Sequence, residues 1–223
     1  PFFALQVFNQ PFIAKWLSRF GLQAIPGECI LASSLHKIME NTVIIFGAGS
    51  LGRAAKEVFE SNGNVVYGFL DDNKSLHNKE IDESFVLGST DDDGFLKLIG
   101  KKCEACIAVD DNRLRKSLVK MLNDIRHVQP VNAIHKTASL SNHVELGHGN
   151  LIDQGVMIGV GTKLSSHCVI QSGCIVGAEA ILGNYVQIGS GSVISTDDTI
   201  DDEAFTGSGV TVVSGLTTRN GSR

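Results

Sequence analysis

From Ile134 onward an aliphatic residue returns at every sixth position. The series runs Ile134, Leu140, Leu146, Ile152, Ile158, Leu164, Ile170, Val176, Leu182, Ile188, Ile194, Ile200 and Val212, and only Thr206 interrupts it. A period of six matches neither an amphipathic helix nor an alternating strand. It is the spacing of a three-sided coil in which each hexapeptide forms one flat side and a full turn takes about 18 residues. The aliphatic residue then points into a stacked core. Two positions earlier stands a small or β-branched residue: Ala138, Val144, Val156, Thr162, Cys168, Cys174, Ala180, Val186, Ser192, Ala204 or Val210. These also point inward, where a corner leaves little room. Glycine follows the aliphatic residue at 147, 159, 177, 183, 189 and 207, where the chain is expected to turn. The pattern predicts a left-handed parallel β-helix over residues 132–223. Its phase weakens after Val212 with no capping helix or polar final coil, so the solenoid reads as C-terminally truncated. The flat sides of such a prism favour a homotrimer.

Upstream the periodicity changes. Thr42–Phe46 is a short apolar run rich in β-branched residues, the mark of a buried strand. Gly47-Ala48-Gly49-Ser50-Leu51-Gly52 follows at once, and Arg53 to Ser61 has helical composition. This is G-x-G-x-x-G between a strand and a helix, the context that gives the motif meaning. Gly47 permits the tight turn, Gly49 lets a phosphate approach the backbone, and Gly52 lets the helix pack near the strand. The helix N-terminus offers free N–H groups and a positive dipole to an anion. A second strand, Val65–Leu70, ends at Asp71-Asp72. An acid there commonly binds a ribose hydroxyl, and a solvated Asp-Asp-Asn turn is the equal alternative. A strand at Ala105–Val109 and a helix from Asn112 to about Asn123 complete an alternating β/α order, hence a parallel sheet. Residues 39–131 thus form a small Rossmann-like domain, short for a dinucleotide and sufficient for a nucleotide sugar.

Residues 1–38 form an N-terminal extension of uncertain origin, because Met39-Glu40-Asn41 reads like a natural start. Phe8, Phe12, Ile13, Trp16, Leu17 and Phe20 follow helical spacing. Such a stripe fits a membrane surface or, more readily, a helix packed on protein. No signal-peptide cleavage pattern accompanies it.

The chain has 223 residues and a net charge of −5 with no basic stripe, which argues against nucleic acid as a partner. No apolar run reaches the roughly 20 residues of a membrane span. Five cysteines, an odd number, do not make a disulfide framework, so a reducing cytoplasm is expected. Cys103 and Cys106 form a C-x-x-C without two further ligands at similar spacing. They read as packing, and no metal is expected.

A glycine-loop domain followed by a left-handed β-helix resembles the bacterial sialic acid O-acetyltransferases and UDP-4-amino-sugar N-acetyltransferases. The resemblance spans roughly Met39 to Val213. It rests on Phe46-Gly47-Ala48-Gly49, Gly68-Phe69-Leu70-Asp71-Asp72, Asp111-Asn112-Arg113-Leu114-Arg115 and Val131-Asn132-Ala133-Ile134-His135. It implies an acetyl-CoA-dependent acetyltransferase of surface glycan biosynthesis, acting on a nucleotide-activated amino sugar or a sialic-acid-like sugar. By resemblance Gly49, Ser50, Leu51, Asp71 and Asp72 face the sugar substrate. Gln187, Gly207 and Ser208 face acetyl-CoA, held in a cleft between neighbouring subunits.

The family's catalyst is a His followed by an acid that orients it. Here Ala178 stands at the His position and Glu179 keeps the acid. A second family His, on the acetyl-CoA side, aligns with Gln187, which donates a hydrogen bond but does not titrate. Asp110 replaces a usual Gly beside the nucleotide. None of His135, His143, His148 and His167 shares the coil position of Ala178, where Val160 and Thr196 stack, and most read as exposed turn residues. General-base help is worth about 10²–10⁴-fold. A sugar hydroxyl needs it, whereas an amino sugar has a neutral fraction that attacks a thioester with positioning and carbonyl polarisation alone. The missing imidazole therefore favours N-acetylation, or else an impaired enzyme. A non-catalytic binding or scaffold homologue is the second reading. An NAD-linked oxidoreductase, resting on the glycine loop alone, is the third.

Overall fold

A computed structural model describes residues 42–213 and 217–222. The extension at 1–38, with its apolar stripe, lies outside the described residues. In the first domain β1 (Thr42–Phe46), β2 (Val65–Leu70), β3 (Glu80–Ile81), β4 (Ser84–Gly88) and β5 (Glu104–Ile107) form one sheet in the order β3-β4-β2-β1-β5. All neighbours are parallel except β3 and β4. Helices α1 (Ser50–Ser61), α2 (Asp93–Leu96) and α3 (Asn112–Arg126) complete it. Helix α1 begins at Ser50, earlier than its composition suggested, because the glycine loop itself supplies an extended N-cap at Gly49. Helix α3 is capped by Asp111, whose carboxylate accepts from the Arg113 and Leu114 amides. It runs on to Arg126, and His127 in a left-handed conformation ends it.

The sequence reading missed β3, β4 and α2. The β3–β4 hairpin turns through Asp82 and Glu83, both at positive φ (45° and 63°). The usual Asn-Gly signal of such a turn is absent. The C-x-x-C does not converge. Cys106 packs on the side of the sheet with Val43 and Ala55, and Cys103 on the other with Leu122, so burial holds both thiols up at about 12. No group of three metal-ligating side chains occurs among the described residues.

The second domain is a prism of two-residue strands in three five-stranded parallel sheets. Met157 pairs with Ile175 and Ile158 with Val176, a full coil apart. The predicted aliphatic residue is the second residue of each strand, and from Ile152 to Ile200 every one is buried. The inward corner slots also hold Asn150 and Asp198, outside the small-residue pattern yet almost completely buried. The Asn150 carboxamide oxygen and the Asp198 carboxylate accept from the Cys168 and Ser195 amides at 2.8 and 3.1 Å, while Nδ2 of Asn150 is left without a partner among the described residues.

The glycines after the aliphatic positions do a different job from the one expected. Positive φ falls instead at 143, 149, 155, 161, 167, 173, 179, 185, 191, 197, 203 and 209. Gly177 is needed because a Cβ there would stand 2.5 Å from the Thr196 amide of the next coil. Close stacking of coils, not turning, demands it.

The first face of the prism carries the columns Ala133–Ile134, Leu151–Ile152, Val169–Ile170, Gln187–Ile188 and Phe205–Thr206. Outward-pointing Ala133, Leu151 and Val169 join one core with Val43, Ala55 and Phe59 of the first domain. The second face begins at Ser139–Leu140 and the third at Glu145–Leu146. The vertex between these two lies opposite the first face.

Candidate active site

Every strand of the parallel part of the sheet ends at one edge, and there the candidate nucleotide residues gather. Gly47 has φ 102°, and a Cβ on it would sit 2.5 Å from the Ala108 carbonyl at the end of β5. Gly49 and Ser50 are exposed at the start of α1, where no side chain caps the first-turn amides. These donors remain available to an anion. Leu51 is different: its side chain is buried in the core. Asp71 opens an exposed turn and is also tied to the glycine loop. Its carboxylate accepts from the Ala48 amide at 2.8 Å and from the Asn73 amide at 2.8 Å, which ties the end of β2 to the glycine loop. Asp72 accepts from the amide and hydroxyl of Thr90 at 2.9 and 2.8 Å. Both acids hold the rim of the edge in shape.

Directly beneath this edge the two domains are joined by α3. Arg115 is 1% exposed although it is charged. Its Nε and Nη2 donate to the Val109 carbonyl at 3.1 and 2.8 Å, and its Nη1 donates to the His167 carbonyl at 3.2 Å. Nη2 also reaches Oε1 of Gln187 at 3.3 Å. Asp110, in place of the family glycine, contributes its carbonyl to Nη2 at 3.5 Å while its side chain stays exposed. Asn112 donates to the Tyr185 carbonyl at 3.1 Å. Lys116 lies 5.3 Å above the Tyr185 ring and pairs with Glu203. Gln187 is thus set below the nucleotide edge on the first face of the prism.

His167 and His135 are buried, which corrects their reading as exposed turn residues. His167 stacks on Tyr185 with ring centroids 4.9 Å apart. Burial first, then the charges of Arg115 and His148, pull its pKa from 6.5 down to about 4. It is a neutral spacer under α3, in no position to replace an imidazole at residue 178.

Ala178 and Glu179 lie elsewhere, at the vertex opposite the first face. Glu179 takes the left-handed corner conformation (φ 56°), and its amide donates to the Val160 carbonyl at 2.9 Å. Its carboxylate lies over Gly161, in space that a Cβ at 161 would occupy. Val160 and Thr196 flank Ala178 in the stack and both are exposed, so the column is open to the outside. Gly207 and Ser208 are exposed at the corner between the first and second faces, with the Gly207 carbonyl accepting from Ser192 Oγ at 2.9 Å. Within one chain Asp71 is tied to the glycine loop and Gln187 is linked through Arg115 to Val109 at the end of the sheet, and the Ala178–Glu179 pair does not join them.

Arg115 and His167 carry the domain junction, and sequence reasoning gave neither a role. One signal was present. Arg115 shares helical spacing with the buried Leu118 and Leu122, so a cation sits on the apolar stripe of α3.

The two-domain arrangement is shared with known proteins. Residues 42–122 match the PglD N-terminal domain family. Over 79% of this chain and 90% of its own, a mutant of perosamine N-acetyltransferase from Caulobacter crescentus in complex with CoA and GDP-perosamine superposes with TM-score 0.58 at 25% identity. PerB from the same organism, also in complex with CoA and GDP-perosamine, gives TM-score 0.60 at 24% identity, covering 80% of this chain and 91% of its own. The acetyltransferase domain of PglB from Neisseria gonorrhoeae gives 0.57 at 18% identity, covering 79% and 95%. These relatives are sugar acetyltransferases, the family that the sequence motifs resemble. No curated protein sequence matches the chain.

Proposed function

We propose that this protein is an acetyl-CoA-dependent N-acetyltransferase acting on a nucleotide-activated amino sugar for surface glycan synthesis. The observation that carries the reading is the placement of Gln187 beneath the carboxyl edge of a glycine-loop sheet. The two-domain frame around it is the one in which perosamine N-acetyltransferase holds CoA and GDP-perosamine. The uncapped first turn of α1 would take a phosphate of the nucleotide. The sugar amine, in its neutral form, attacks the thioester carbonyl. The C–N bond forms, the C–S bond breaks, and the amine proton passes to the released CoA thiolate. An amine acceptor suits a vertex that offers the Glu179 carboxylate and no imidazole. The solved relative is itself a His-to-Asn mutant, and it holds both CoA and GDP-perosamine.

The working unit in this proposal is a homotrimer. The Ala178–Glu179 vertex and the nucleotide edge lie on opposite sides of one prism, so a shared site needs a second copy. The vertex is flanked by Met157, Val160, Ile175 and Ile181, each 38% to 49% exposed. An apolar patch of this kind is covered in an assembled protein. The cytoplasm is the proposed compartment. It agrees with the four described cysteines, which are all unpaired, and no helix among the described residues is long and apolar enough to cross a membrane. A catalytically silent binding homologue is the second reading, and Ala178 is the observation that favours it. Thiol release from acetyl-CoA with GDP-perosamine or a UDP-4-amino sugar as acceptor separates the two. Turnover well above the enzyme-free rate supports the enzyme. Binding of both ligands without turnover supports the silent homologue.

A further inference from the structure

The junction between the domains contains an arrangement that hydrogen bonding alone explains only in part. Four contacts anchor Arg115 irrespective of Gln187: two to the Val109 carbonyl, one to the His167 carbonyl and a longer one to the Asp110 carbonyl. The fifth goes to Oε1 of Gln187. A guanidinium has donors only, so the amide can meet it through its oxygen and in no other way. The NH2 end is thereby turned away from Arg115. Gln187 is only 6% exposed, yet Nε2 makes no hydrogen bond among the described residues. The buried polar atoms left without a partner are Ser84 Oγ, Asn112 Oδ1 and Asn150 Nδ2, and Nε2 is not one of them. Nε2 is therefore not fully buried, although the residue as a whole is.

We propose that Arg115 is a positioning residue: by holding the carbonyl end of the Gln187 amide, it presents the NH2 end as a fixed hydrogen-bond donor to the acyl oxygen of the thioester. The inference rests on the acetyltransferase reading above. A donor held in place before reaction costs no reorganisation as negative charge develops on that oxygen. The same donor in a free glutamine side chain would first lose its rotamer freedom. An amide also keeps this role at any pH, because neither of its states is charged.

The test is a double-mutant cycle on the full chain, with acetyl-CoA and GDP-perosamine as probes. Gln187→Glu keeps an acceptor for Arg115 and removes the donor, and Gln187→Met removes both. Each is expected to lose about 10²-fold in kcat with the acceptor KM unchanged. Arg115→Met is expected to lower kcat when Gln187 is present and to add little when residue 187 is already Met. If Arg115→Met does not fold, Arg115→Lys enters the same cycle. Wild-type kcat in both Gln187 variants would overturn the proposal. So would an equal loss from the Arg115 change in both backgrounds, which is what a purely structural role gives. Titration calorimetry reads the donor without turnover. Wild type should bind acetyl-CoA several-fold more tightly than CoA, and Gln187→Met should erase the difference. Equal wild-type affinities would overturn the proposal and leave the acetyltransferase reading standing. Failure to bind either ligand would overturn both.

Discussion

The first face of the prism and the vertex opposite it are built from the same repeat and carry opposite fates. On the face, outward Ala133, Leu151, Val169 and Gln187 are buried beneath the nucleotide domain. At the vertex, outward Met157, Val160, Ile175 and Ile181 are exposed. The inward residues hardly differ: Ile170, Val176, Leu182 and Ile188 are equally enclosed. The coil is therefore held by one set of residues and used by another. Burial of the inward residues is alike on the three sides, and the proposed function rests on outward side chains that the repeat leaves free to vary.

That division can be broken from the inside. Ile188→Ala on the first face and Leu182→Ala on the third should destabilise alike, by about 2–5 kcal/mol each, read by denaturant midpoints. Outward Ile181→Ala at the vertex should leave the fold's stability within about 0.5 kcal/mol and weaken self-association, read by light scattering. A large loss of fold stability from Ile181→Ala would erase the distinction.

A second change sharpens it. Ala178→His restores an imidazole beside Glu179 at an open position, so kcat for an amine acceptor should rise by about 10-fold to 10²-fold. The gain should fade as pH drops below about 6.5, where the new imidazole charges. No gain at any pH would mean that the vertex does not meet the acceptor.

The smallest effect belongs to the buried side. His167 has a folded pKa of about 4 against 6.5 for the free side chain. Between those values the unfolded chain binds a proton that the folded chain refuses. Its contribution to stability is therefore complete above pH 6.5 and is lost as pH falls towards 4. The midpoint of thermal unfolding should drop across that window, and His167→Asn should flatten the drop.

The same division explains what could be read from the sequence. The β-helix was legible because its signal is a sum over many identical inward positions, and one exception at Thr206 does not blur it. The glycine loop was legible because its three glycines fall within six residues between a strand and a helix, and Gly47 and Gly52 answer separate steric needs there. The β3–β4 hairpin was not, since Asp82 and Glu83 adopt left-handed conformations without the glycine that would announce them. Asn150 and Asp198 were overlooked because burial of a polar side chain depends on the backbone amides it meets, one coil away for Asn150 and three residues back for Asp198. The site was half legible. Motifs named Gly49, Ser50, Asp71, Asp72 and Gln187, but they did not show that Asp71 and Asp72 also brace the rim. The contact of Arg115 with Gln187 joins residues far apart in sequence, and no local pattern encodes it.

The central claim is that one site is made from the nucleotide edge of one copy and the Ala178–Glu179 vertex of another. Complementation tests it most directly. Gly49→Asp places a negative charge at the glycine loop, where a Cβ meets nothing within 4 Å, and Ala178→Trp fills the open column at the vertex. Each variant alone should be inactive with acetyl-CoA and GDP-perosamine. Co-assembled in equal amounts, they should regain about a quarter of wild-type thiol release, because each interface draws its two halves independently. Continued inactivity of the mixed assembly, with both ligands still bound by wild type, would contradict the shared site and place all of the chemistry within a single chain.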